Sequence, residues 1–75
     1  MKELIEYIAK SIVNSPDDVV VTEETDEQRT VFKLQVAEED KGRIIGKQGR
    51  VAQAMRTLIR VKAAKAGTRA TIEIV

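Results

Sequence analysis

The stretch Gly42-Arg43-Ile44-Ile45-Gly46-Lys47-Gln48-Gly49-Arg50 sets three of the chain's four glycines among three cations and two β-branched hydrophobes. Cations can hold an anion, and glycine lets a backbone turn sharply or lie close to another group. Other chemistry is thinly represented. The chain has no histidine and no cysteine, so the commonest general base and the thiolate ligands and nucleophiles are missing. Ser11 and Ser15 sit at a helix end without a base. Glu23 and Glu24 are neighbours on a turn, and Glu38, Glu39 and Asp40 stand where a helix starts, so they read as solvated or capping acids. No catalytic residue, metal site or cofactor is expected.

The charge of the chain is split along its length. Residues 1–40 carry four basic and eleven acidic side chains, whereas residues 41–75 carry nine basic ones against Glu73 alone. The net +1 therefore hides a basic half suited to a polyanion and an acidic half suited to water or a basic partner. At 75 residues only about 60% of the unfolded surface can be buried, which leaves no room for a deep substrate pocket. Hydrophobic residues make up 43% and run through the whole chain, so it should fold. No segment reads as a signal peptide or membrane span, and a cytoplasmic protein is expected.

The elements that must position the glycine stretch follow from periodicity. Leu4, Ile5, Ile8 and Ile12 recur at helical spacing, predicting an amphipathic helix over about 2–13. Asn14-Ser15-Pro16 stops it. Val19 to Thr22 is a β-branched strand, Glu23 to Gln28 an acidic turn, and Thr30 to Val36 a half-buried strand with Phe32, Leu34 and Val36 on one face. Glu39 to Ile45 is a short helix ended by Gly46. From Arg50 a longer helix places Val51, Met55, Leu58 and Ile59 on its apolar side, with Gly67 as C-terminal cap. Residues 69–74 alternate as a last strand. The order α-β-β-α-α-β gives an α+β fold: a hairpin, then a two-helix crossover to a parallel strand, so a three-stranded sheet packs against three helices. Residues 1–75 form one domain, with a β-α-α-β core over about 30–75 and an added helix and strand over about 2–24.

Gly46-Lys47-Gln48-Gly49 is then a turn between two helices. The N–H groups at the start of the second helix are expected to lack internal partners at the positive end of its dipole, an anion site. Lys47 stands at the tip, flanked by Arg43 and Arg50, so the glycines would let a sugar-phosphate backbone lie against the turn. A Walker A loop is excluded by the Gly42-to-Gly46 spacing and by Gln48 after Lys47. The dinucleotide fingerprint is excluded because Gly-x-Gly never occurs. A plain helix–helix turn remains the alternative.

"Ile-Ile-Gly-Lys-Gln-Gly-Arg" between two helices, inside β-α-α-β, resembles the K-homology (KH) domain and its Gly-x-x-Gly loop, which clamps four backbone nucleotides of RNA. A helix and strand before the core look like the type II arrangement. The longer stretch Val36 to Arg50, in a chain of this length, is similar to the bacterial KhpA (YlqC) family of small RNA-binding proteins. The resemblance implies single-stranded RNA as ligand, with Gly46, Lys47, Gln48 and Gly49 on its backbone. Ile45 would floor an apolar groove for the bases, and Ala52 would line it. It also implies self-association or pairing with a KhpB-like KH protein, and a part in RNA chaperoning or post-transcriptional control of cell elongation and envelope growth.

The remaining features are weighed beside that. Tyr7 and Phe32 are the only aromatics, too few for base stacking of the RRM or OB-fold kind. Phe32 reads as core, and Tyr7 as buried against the sheet. Ile45 is expected to serve the core as well as the groove. Arg56 is assigned to phosphate contact. Arg60, a turn further on, points well away from the apolar face and reads as solvated. Val61 and Val75 fall off the core faces, so with the split charge they suggest a weak homodimer. A protein-docking adaptor and a single-stranded DNA binder stay open, and salt dependence separates the adaptor from a phosphate binder.

Overall fold

The computed structural model describes residues 1–27 and 29–75. Helix α1, Lys2–Ile12, buries Ile5 and Ala9 completely, with Leu4, Ile8 and Ile12 packed against the same core. At Val13 the chain turns extended, and Pro16 opens a 3-10 turn, Pro16–Asp18, a place where its missing N–H costs nothing.

Strand β1, Val20–Asp26, pairs antiparallel with β2, Arg29–Gln35; β2 pairs parallel with β3, Arg69–Ile74, in the order β1-β2-β3. The strand in the middle buries Phe32 and Leu34 almost completely. Two helices joining β2 to β3 make the parallel pairing possible. Strand β1 runs four residues beyond its expected end at Thr22. The register sets Asp26 opposite Arg29, and Lys33 Nζ lies 3.1 Å from Glu24 Oε2. Cross-strand cations thus offset the acids on a solvent-facing edge. Of the expected acidic turn Glu23–Gln28, Glu27 alone remains as a described turn residue, and Gln28 lies outside the described residues.

The short second helix divides into a 3-10 turn, Glu38–Asp40, and helix α2, Lys41–Ile45. Asp40 does not cap it by side chain. Its fully buried carboxylate instead accepts the backbone N–H groups of Asn14 and Ser15 at 3.2 and 3.1 Å. Helix α3, Arg50–Lys65, buries Ala52, Met55, Ile59 and Ala63. It ends where Gly67 N–H meets Ala64 O at 3.1 Å and Thr68 N–H meets Ala63 O at 2.9 Å, the paired bonds of a Schellman cap. Helix α1 packs on β1 and α3 on β3.

Two core expectations are corrected. Tyr7 is 73% exposed, because it lies two positions from Ile5 and two from Ala9, on the opposite side of the helix. Leu58 is 43% exposed; one position before buried Ile59, it is rotated about 100° from the core row. Val61 and Val75 are exposed as expected. Among the described residues no helix is long and apolar enough to cross a membrane.

Candidate nucleic-acid interface

Ile44, fully buried, anchors α2 in the core, and Gly46 N–H closes the helix on Gly42 O at 2.9 Å. Gly46 then adopts φ 77°, ψ 173°, a region open in practice to glycine. A Cβ on Gly46 would lie 2.7 Å from Val51 Cβ and 2.9 Å from Val51 N, and closer still to Val51 Cγ2. The space beside Gly46 is therefore filled by the protein's own next helix. The sharp exit from α2 expected of Gly46 thus depends on the absence of a side chain against Val51.

The turn itself is a 3-10 segment, Lys47–Gly49. Gln48 (φ 58°, ψ 26°) and Gly49 (φ 74°, ψ 12°) are both left-handed, and the Cα of Gly49 faces open space. Gly49 N–H donates to Gly46 O at 3.1 Å, and Arg50 N–H donates to Lys47 O. Of the amides expected to be unpartnered at the start of α3, that of Arg50 is thus used within the turn. Those of Lys47 and Gln48 come first in it, where a 3-10 turn offers no acceptor of its own. They stand near the positive end of the 16-residue helix α3.

Lys47 and Gln48 are exposed at the tip, and Arg43 and Arg50 are exposed on either side. Arg50 Nη2 donates to Gln48 Oε1 at 3.1 Å, a bond across the turn that residue spacing did not suggest. Among the described residues, none of Arg43, Lys47, Arg50 and Arg56 enters an ion pair with a carboxylate. Four cations therefore surround the turn with their charge uncompensated. Arg43, Ile45, Lys47, Gln48 and Arg50 are exposed around the turn, and Arg56 stands further along α3, half-buried.

Ile45 is 44% exposed, which corrects its expected share in the core: Ile44 takes the core position, and the next residue is rotated away from it. Ala52 is buried at 5% exposure, so it offers little surface. An apolar groove of about 320 Å³ lies elsewhere, on the other flank of α3, lined by Ile8, Val51, Ala54, Met55 and Leu58 with Arg50 at its end. Neither Ile45 nor Ala52 lines it. The helical periodicity places Leu58 and Val51 on the core face, and only their exposure reveals the groove.

The family model described as "KhpA/KhpB, KH domain" matches residues 2–74. The chain belongs to this family. A Clostridium acetobutylicum protein named RNA-binding protein KhpA is 52% identical over 75 residues, all of both chains. Proteins of the same name from Caldanaerobacter subterraneus, at 48% over all of both chains, and Listeria monocytogenes, at 45% over all of this chain and 99% of its own, are similar as well. No solved structure gives a significant match. The KhpA/KhpB membership agrees with the resemblance read from the loop and the element order, and it sets the chain among binding modules rather than enzymes.

Proposed function

We infer that the chain binds single-stranded RNA and holds its phosphate backbone at the turn Gly46–Gly49. The observation that carries this is the exposed turn with four uncompensated cations around it, at the positive end of α3. The names of the KhpA relatives support the same ligand. Lys47 supplies mobile charge, the Lys47 and Gln48 amides supply donors, and Arg43, Arg50 and Arg56 extend the positive field. Exposed Ile45 offers an apolar contact to a base next to the clamped backbone. An adaptor that only docks proteins would leave these cations without a role. The finer reading, an RNA chaperone or post-transcriptional regulator acting in the cytoplasm with a KhpB-like partner in cell elongation, is supported by the family match alone.

A weak homodimer belongs to the same reading. The groove at Ile8, Val51, Ala54, Met55 and Leu58 is an exposed apolar strip on a polar surface. Around it α1 carries Glu3 and Glu6 while α3 carries Arg50 and Lys62. A twofold contact would cover the strip with its copy and set acids of one chain against cations of the other. Two grooves in one particle raise avidity without new RNA contacts. A salt titration of affinity for single-stranded RNA tests the binding mode: a log–log slope of about −2 to −3, for four phosphate contacts on a single strand, is expected. A slope near zero would leave the adaptor reading in its place.

A further inference from the structure

Asp40 is the only buried polar or charged side chain among the described residues. No cation among them pairs with it. A buried carboxylate is costly unless its oxygens are bonded, and here each oxygen accepts one backbone N–H, Oδ1 from Asn14 and Oδ2 from Ser15. Charge-assisted bonds of this kind are directional as well as strong, whereas an apolar contact is non-directional. The pair therefore fixes an orientation.

What it orients is α2. That helix has five residues, Lys41–Ile45, and Ile44 is the one side chain it buries. Asp40 adds a second anchor, roughly 6 Å from Ile44 along the helix axis. Past the other end the chain turns at Gly46, which Val51 of α3 backs. The residues assigned to RNA thus stand on two supports. Lys47, Arg50 and Arg56 belong to the turn and α3, whereas Arg43 and exposed Ile45 ride on α2. The direction of α2 decides whether both groups face the same strand.

We propose that Asp40 is a positioning residue of the RNA site. By tying the start of α2 to Asn14 and Ser15 at the exit of α1, it holds Arg43 and Ile45 in line with the turn Gly46–Gly49. The proposal rests on the RNA-binding reading of the turn and extends it to a residue that touches no RNA. It also gives the N-terminal helix a part in binding, through the segment that follows it.

The test is a pair of double-mutant cycles read on a single-stranded oligouridylate of about eight nucleotides, at a temperature where every variant is folded. Asp40→Asn should weaken binding about fivefold. Arg43→Ala should cost several-fold on the parent and little in the Asp40→Asn background, because both changes remove the same contact. Lys47→Ala should weaken both backgrounds by the same factor. Val21→Ala, a core truncation in β1, should lower the melting temperature yet bind within about twofold of the parent. The parent gives a second reading that needs no variant. If the tie favours RNA, RNA favours the tie by the same factor, so saturating oligouridylate should slow local-opening hydrogen exchange of the Asn14 and Ser15 amides about fivefold. Additive losses for Asp40→Asn and Arg43→Ala, or Asn14 and Ser15 rates unmoved by RNA, would overturn the positioning role and leave the turn intact. A parent that binds no RNA would overturn the reading of the turn, and the positioning role with it.

Discussion

Asp40 and Ser15 are 25 positions apart in the chain, yet the Asp40 carboxylate accepts the Ser15 N–H at 3.1 Å and the Asn14 N–H at 3.2 Å, from a fully buried position. The bond pair fixes the exit of α1 to the start of α2, the helix that leads into the basic turn. Removing the acceptor leaves two partly buried donors unsatisfied. Asp40→Ala should cost about 2–4 kcal/mol, or roughly 8–30 °C in melting temperature for a domain of this size. Asp40→Asn keeps one oxygen acceptor and should lose about half as much. A melting temperature unchanged in Asp40→Ala would show that the tie contributes nothing.

Gly46 is fixed twice, by a left-handed φ of 77° and by Val51 against its Cα. Gly46→Ala should destabilise by about 2–4 kcal/mol through backbone strain and overpacking. Adding Val51→Ala removes the clash with Cγ2 but not the backbone strain or the approach to Val51 N. The double variant should therefore recover part of the loss, a non-additivity that denaturant titration resolves. Strictly additive losses would mean that Val51 and the new methyl do not meet.

Ile45, at 44% exposure, should separate binding from stability. Ile45→Asn is expected to cost less than about 1 kcal/mol of stability, since little burial is lost. Its RNA affinity should nevertheless fall several-fold, roughly 1 kcal/mol for a lost apolar contact to a base. Calorimetric melting and RNA binding on the same sample decide it. A melting temperature lowered by 15 °C or so would return Ile45 to the core.

Most of the fold was legible in the sequence, and each element for its own reason. The alternation Phe32-Lys33-Leu34 and the 3.6-residue stripe of α1 declared their partners, and the glycine-bounded turn declared the site. What was not legible depended on contacts between distant segments. Glu23 to Asp26 read as a turn because four acidic or polar residues in a row disfavour a strand; only pairing with Arg29 and Lys33 across the hairpin makes them one. Asp40 looked like a helix cap, because its use by Asn14 and Ser15 has no local signature. Ile44 and Ile45 could not be divided into core and surface until the direction of a five-residue helix was known. At the site, the grouping of Arg43, Lys47 and Arg50 was readable from spacing. The Gln48–Arg50 bond and Val51 behind Gly46 required the turn's actual backbone angles.

Leu58, 43% exposed in the apolar strip, should control assembly. Sedimentation equilibrium over micromolar concentrations should show the parent rising above monomer mass as concentration increases. Leu58→Glu, which buries a charge in any contact across the strip, should stay monomeric and keep its fold. A parent that is monomeric throughout would reject self-association, and a variant that still dimerises would move the contact elsewhere.

The placement of RNA at the basic turn is tested most directly by Lys47→Asp/Gln48→Asp. Both side chains are exposed and neither lies in the core cluster, so the circular dichroism spectrum and melting temperature should match the parent closely. Two carboxylates in place of a cation and an amide would oppose phosphate at the two free amides of the turn. Affinity for single-stranded RNA at physiological salt should fall by at least about a hundredfold. RNA affinity unchanged in a folded double variant would contradict the assignment of the turn Gly46–Gly49 as the site that grips the backbone.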